Sequence, residues 1–131
     1  MSKIRVLMVD DEVDFLEVMK GRVESWDYDL TLATSGKDAL EIIKKSGADI
    51  VILDYMMPQM DGVATLTQIR KLDLDIPVIM FTAHPDSNSI KGAEHLGVST
   101  FVPKLSTYSD VQSSLRVALD MAQKKLRNKK G

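Results

Sequence analysis

The chain has no cysteine among its 131 residues. Disulfides and thiolate metal sites are therefore excluded, and a reducing, cytoplasmic setting is the natural expectation. No window approaches the roughly 18 apolar residues of a membrane span. The opening Met1-Ser2-Lys3-Ile4-Arg5 leads straight into a strand pattern, with no cleavable signal. No internal repeat, low-complexity segment or linker divides the chain. No Gly-rich phosphate loop follows the first apolar run, which argues against a nucleotide-binding role. Acid is also missing from one end: no Asp or Glu lies beyond Asp120, while Lys124, Lys125, Arg127, Lys129 and Lys130 crowd the C-terminus. The overall charge of −2 thus conceals a body with 12 basic against 19 acidic residues, a net of −7. An acidic body does not suit nucleic-acid binding. The basic end reads as a solvated helix terminus favoured by its own dipole.

What is present is a 44% hydrophobic chain of one-domain length. Its organising stretch is Val51-Ile52-Leu53-Asp54-Tyr55-Met56-Met57-Pro58-Gln59-Met60-Asp61-Gly62. Ile50 to Leu53 is a continuous apolar run rich in β-branched residues, as expected of a strand covered on both faces. Asp54 then stands at its carboxyl end, where open α/β sheets place their ligands.

The rest of the chain alternates in the same way. Ile4 to Val9 reads as a first strand, ending on Asp10-Asp11. Val13, Leu16, Val18, Met19 and Val23 recur at helical spacing to about Ser25. Tyr28 to Ala33 is a second strand with Leu30 and Leu32 on one face. Ser35 caps a second helix, with Asp38 three residues on, carrying Ala39, Leu40, Ile42 and Ile43 and ending at Gly47. Asp61 can cap a third helix carrying Val63, Leu66, Ile69 and Leu72. Pro77 to Phe81 is a fourth strand, with Thr82-Ala83-His84 at its end. Ser87 or Ser89 opens a fourth helix stopped by Gly97, and Thr100 to Val102 is a short fifth strand. Thr107 or Ser109 caps a last helix with Val111, Leu115, Ala118, Leu119 and Ala122 inward. Trp26 serves as a structural anchor.

Strict alternation with right-handed crossovers predicts an α/β fold: a doubly wound, five-stranded parallel sheet with five helices. The flavodoxin-like strand order 2-1-3-4-5 puts the switch point between strands one and three, and so sets Asp10 and Asp11 beside Asp54. The expected boundaries are a domain over residues 1–124 and a basic tail over 125–131. Thr82 ends strand four, and Lys104 lies just past strand five. Three converging carboxylates repel one another unless a cation joins them. An all-oxygen set selects a hard divalent ion, most plausibly Mg²⁺. Lys104 adds a compact positive charge and Thr82 a hydroxyl donor for an anion at the same place.

These residues, together with Met57-Pro58 and Met60-Asp61-Gly62 behind Asp54, Ala83 after Thr82, and Phe101 three residues before Lys104, resemble a receiver domain of bacterial two-component response regulators. The resemblance runs to about Lys124. It implies that Asp54 accepts a phosphoryl group from a sensor histidine kinase or phosphotransfer protein. It implies that Asp11, Asp54 and the main-chain carbonyl of Met56 bind Mg²⁺ directly, with Asp10 reaching it through water. It further implies that Thr82 shifts inward, that Phe101 turns into the vacated space, and that the face of the fourth helix, fifth strand and fifth helix changes to bind a target. Such a chain catalyses only its own phosphorylation and dephosphorylation, and is a monomer or a weak phosphorylation-dependent homodimer. One departure stands out: the family usually has proline directly after the lysine, often with a cis peptide, where this chain has Leu105. A non-proline cis bond costs roughly 2.5–4 kcal/mol, so the Lys104–Leu105 bond is expected to be trans. Competing readings are a Mg²⁺-dependent phosphatase or phosphotransferase working through an aspartyl phosphate, and an interaction domain that is not phosphorylated.

Overall fold

The alternation of neighbouring side chains along each strand assembles the molecule. The computed structural model describes residues 3–55, 62–72, 75–82, 91, 94–98, 100–103 and 108–130, with Thr82, Tyr108, Ser109 and residues 127–130 described through their backbone alone. Strands β1 (Arg5–Val9), β2 (Asp29–Ala33), β3 (Ile50–Asp54), β4 (Val78–Thr82) and β5 (Thr100–Pro103) alternate with helices α1 (Val13–Ser25), α2 (Gly36–Lys45) and α3 (Gly62–Leu72). A C-terminal helix spans Tyr108–Lys130. The sheet order is β2-β1-β3-β4-β5, every pairing parallel. This is the expected flavodoxin-like arrangement.

Val6, Met8, Ile50, Ile52, Ile79 and Phe81 face one way and meet α1 and the C-terminal helix. Leu7, Val9, Val51, Leu53, Val78 and Met80 face the other way, toward α2 and α3. The period of two in a strand thus splits one sheet between two cores. All five residues of β3 are buried, as a strand covered on both faces requires. Phe15 of α1 meets Phe81 edge-on, with ring centroids 5.5 Å apart.

The helix faces differ in detail from the sequence reading. In α1 the buried set is Phe15, Leu16, Met19 and Val23, whereas Val13 and Val18 are 55% and 40% exposed. Positions 15, 16, 19 and 23 form one stripe at 3.6 residues per turn, and 13 and 18 fall off its edges. Leu72, at the end of α3, is likewise 44% exposed, while Thr65 and Arg70 are buried. The five inward residues expected of the last helix are all buried.

Helix ends follow the expected chemistry. Ser35 accepts the Asp38 N–H at 3.1 Å. Gly47, at φ +75°, returns its N–H to Ile43 and Ile42. Trp26 closes α1, packs against the first core, and carries the Arg116 guanidinium 5.6 Å from its ring centroid. The C-terminal helix begins at Tyr108, so Ser109 lies inside its first turn rather than before it, and the basic stretch from Lys125 to Lys130 is helical. Around the expected fourth helix, Lys91, Glu94 and His95 have helical backbone and a turn follows at Leu96 and Gly97. Ser87, Ser89, Thr107 and the Lys104–Leu105 bond lie outside the described residues.

Candidate functional site

Two strand ends create the site. Asp10 follows β1 directly, and its N–H donates to the Ala33 carbonyl at 3.0 Å, extending the β1–β2 ladder by one residue. Its Oδ1 then accepts the Glu12 N–H at 2.9 Å. This Asx-type turn swings the chain off the sheet and into α1. Asp54 closes β3 beside Phe81 of β4, and the following Tyr55 N–H donates to the Phe81 carbonyl at 2.8 Å. Asp10 is fully buried and Asp54 is 2% exposed.

Carboxylate oxygens of Asp10, Glu12 and Asp54 lie within 4.8 Å of one another. Oxygens that share one octahedral Mg²⁺, at about 2.0–2.1 Å from the metal, stand roughly 3–4 Å apart, so three oxygens already within 4.8 Å need only a small closure to share one such ion. The donors are all oxygen, the set a hard cation takes. Three acids held this close, two of them buried, repel one another unless positive charge is near. The N-terminus of α1 supplies part of that charge, because Glu12 occupies its N-cap position. The residues therefore fit the divalent ion that the sequence implies.

The third acid is a finding of the tertiary structure. Glu12, not Asp11, joins Asp10 and Asp54; Asp11 is exposed and outside the cluster. The turn at Asp10 brings residue i+2 back over the strand end while i+1 faces solvent. An Asp followed two residues later by an acid was the available signal in the sequence.

The backbone of Thr82 ends β4, paired with Pro103 of β5 and one residue beyond the Asp54 and Phe81 pair. It therefore belongs to the same rim. Phe101 pairs with Met80 and is half-buried against the α2 and α3 core. Met56, Met57, Pro58, Met60, Asp61, Ala83, His84 and Lys104 lie outside the described residues.

Gly62 opens α3 in contact with the site's own backbone. Its N–H donates to the Tyr55 carbonyl at 2.8 Å. A Cβ there would stand 2.6 Å from Tyr55 Cα and 2.7 Å from the Asp54 carbonyl oxygen. Only glycine lets the helix start this close to the strand end.

Residues 6–116 match the family model of the response regulator receiver domain. The chain is 33% identical over 118 residues to the transcriptional regulatory protein ZraR of Escherichia coli (strain K12), covering 90% of this chain and 27% of that protein. It is 36% identical over 124 residues to the probable transcriptional regulator ycf27 of Guillardia theta, covering 94% and 48%. The chain thus spans about a quarter to a half of the length of these curated relatives. Among solved structures, the receiver domain of Francisella response regulator 1452 superposes with a TM-score of 0.82 at 28% identity, covering 95% of this chain and 99% of that one. The signal receiver domain of an HD domain-containing protein from Pseudomonas fluorescens Pf-5 gives 0.88 at 24% identity, covering 97% and 99%, a likeness of fold.

Proposed function

This chain belongs to the response regulator receiver domain family, and from that premise we propose that it is a phospho-accepting signalling module with Asp54 as the acceptor. The observation that carries the reading is the meeting of Asp10, Glu12 and Asp54 at the carboxyl ends of β1 and β3. An Oδ of Asp54 attacks the phosphorus of a phosphohistidine on a sensor histidine kinase or phosphotransfer protein. The P–N bond breaks, its electron pair stays on the imidazole nitrogen, and that nitrogen takes a proton. The product is an acyl phosphate, which water hydrolyses to return the carboxylate, so the signal is reversible.

Asp10, Glu12 and Asp54, with Asp11 and the Met56 carbonyl as the further donors the sequence suggests, would hold Mg²⁺. When bound, the ion supplies charge stabilisation for the phosphoryl oxygens, the main requirement of phosphoryl transfer. Lys104 contributes a second positive charge. The Thr82 hydroxyl donates to a phosphoryl oxygen and draws the end of β4 inward. Phe101, one strand away and only half-buried, turns into the vacated volume. The face built by the segment around Lys91 to Leu96, β5 and the C-terminal helix then favours one of two packings, and a target protein reads the difference. Direct DNA contact by this chain is not expected from its acidic body. No described helix is long and apolar enough to cross a membrane, and we assign the module to the cytoplasm.

Incubation with Mg²⁺ and acetyl phosphate, followed by intact mass, tests the assignment. The expected result is one added phosphate, absent in Asp54→Asn. Wild-type chain that stays unmodified where ordinary receivers label would refute it and favour an interaction domain that is not phosphorylated.

A further inference from the structure

We propose that Arg70 is a positioning residue that ties α3 to the turn at Leu96 and Gly97 and carries the state of Asp54 to it. The proposal rests on the phosphoacceptor reading above.

Arg70 is buried near the end of α3, with 9% of its surface exposed. Among the described residues, its guanidinium donates to three main-chain carbonyls from two directions. Nη1 donates to Ile76 at 2.6 Å, just ahead of β4. Nε donates to Leu96 at 2.5 Å and Nη2 to Gly97 at 3.1 Å. Leu96 and Gly97 form the turn that closes the helical backbone at Lys91, Glu94 and His95, with the Gly97 N–H donating to Glu94 at 3.0 Å. The last carbonyls of a helix lack partners of their own. Here the cation of a neighbouring helix binds the carbonyls of the turn just past that end, where the dipole favours positive charge. Gly97 is at φ +75°, the left-handed backbone that lets the turn close beside the guanidinium.

The other end of α3 rests on the acceptor. Gly62 is bonded to the Tyr55 carbonyl and lies against that of Asp54. From Gly62 to Arg70 is eight residues, about 12 Å of continuous helix at 1.5 Å per residue. A rigid rod therefore runs from the backbone of Asp54 to a planar fork gripping the turn at Leu96 and Gly97. A shift of the Asp54–Tyr55 backbone moves Gly62, and the rod delivers the movement to that turn. A lysine would keep the charge but lose the fixed fork that holds three carbonyls at once.

The experiment uses the full chain with Mg²⁺ and acetyl phosphate, comparing wild type with Arg70→Lys. Intact mass reads the phosphate, and amide hydrogen exchange reads residues 94–98 before and after labelling. In the wild type, phosphorylation is expected to change exchange at 94–98 by roughly fivefold, the lower end of ordinary coupling between sites. Arg70→Lys is expected to take up phosphate equally and to keep wild-type exchange in β1 and β3, yet to lose most of that change. A purely structural role would alter basal exchange and leave the phosphorylation-dependent difference intact, which overturns the proposal. A labelled wild type with no response at 94–98 also overturns it, without need of the variant. Wild type that takes no phosphate removes the phosphoacceptor reading, and the coupling falls with it.

Discussion

Replacing Gly62 by alanine separates two effects of opposite sign. Alanine is the better helix former, by up to about 1 kcal/mol in a helix interior. The added methyl, however, would sit 2.6 Å from Tyr55 Cα, 2.7 Å from the Asp54 carbonyl oxygen and 3.2 Å from its carbon. All three neighbours are backbone atoms, so no side-chain rotation relieves the contact. Forcing an extra methyl into a packed site costs typically 1–3 kcal/mol, and a clash with backbone belongs at the upper end. The net expectation is a loss of about 2 kcal/mol. With a urea slope of about 2 kcal/mol per molar, the unfolding midpoint falls by about 1 M. Gly21, exposed within α1, has nothing within 4 Å of the same position. Gly21→Ala should therefore stabilise by about 0.5–1 kcal/mol and raise the midpoint. Equilibrium urea unfolding of both variants, followed by far-UV circular dichroism, gives the answer. A Gly62→Ala midpoint at or above that of wild type would refute the steric argument, and with it the claim that α3 is seated on the acceptor's backbone.

Other outcomes follow from the same geometry. Mg²⁺ should raise the melting temperature saturably, by the equivalent of about 2.7 kcal/mol at one hundred times its Kd, and EDTA should reverse the gain; a gain that persists in Asp54→Asn and Asp10→Asn would place the ion elsewhere. Ser35→Ala should cost about 1 kcal/mol through loss of the bond to the Asp38 N–H, read from the urea midpoint. Phe15→Leu should cost at least about 1 kcal/mol, from the lost edge-on contact with Phe81 and the smaller buried side chain; an unchanged urea midpoint would refute the packing assigned to this pair.

The fold was legible in the sequence because its signals are local and agree with one another. A continuous apolar strand ending in Asp54, Ser35 with Asp38, Gly47 after α2, and the inward series from Val111 to Ala122 each report on a few neighbouring residues. Strict β-α alternation leaves few topologies open, and the observed one is the common solution. Helix faces were less legible. Val13 and Val18 are apolar and near helical spacing, yet exposed, because the stripe that meets the sheet is set by where Phe15 docks on Phe81. Nothing in the sequence singles out Arg70; the return of a distant turn over α3 adds the Leu96 and Gly97 carbonyls to that of nearby Ile76.

Sequence alone determined the strand order and which strand ends carry acids, since periodicity and chain connectivity suffice for both. The tertiary structure decided which acids face one another. Glu12 rather than Asp11 completes the cluster, because one hydrogen bond at Asp10 turns the backbone. Gly62 is held to glycine by contact with backbone several residues away. The first joins a local turn at Asp10 to Asp54 of another strand, and the second is a contact between the end of β3 and the start of α3, so both needed the folded arrangement of the segments.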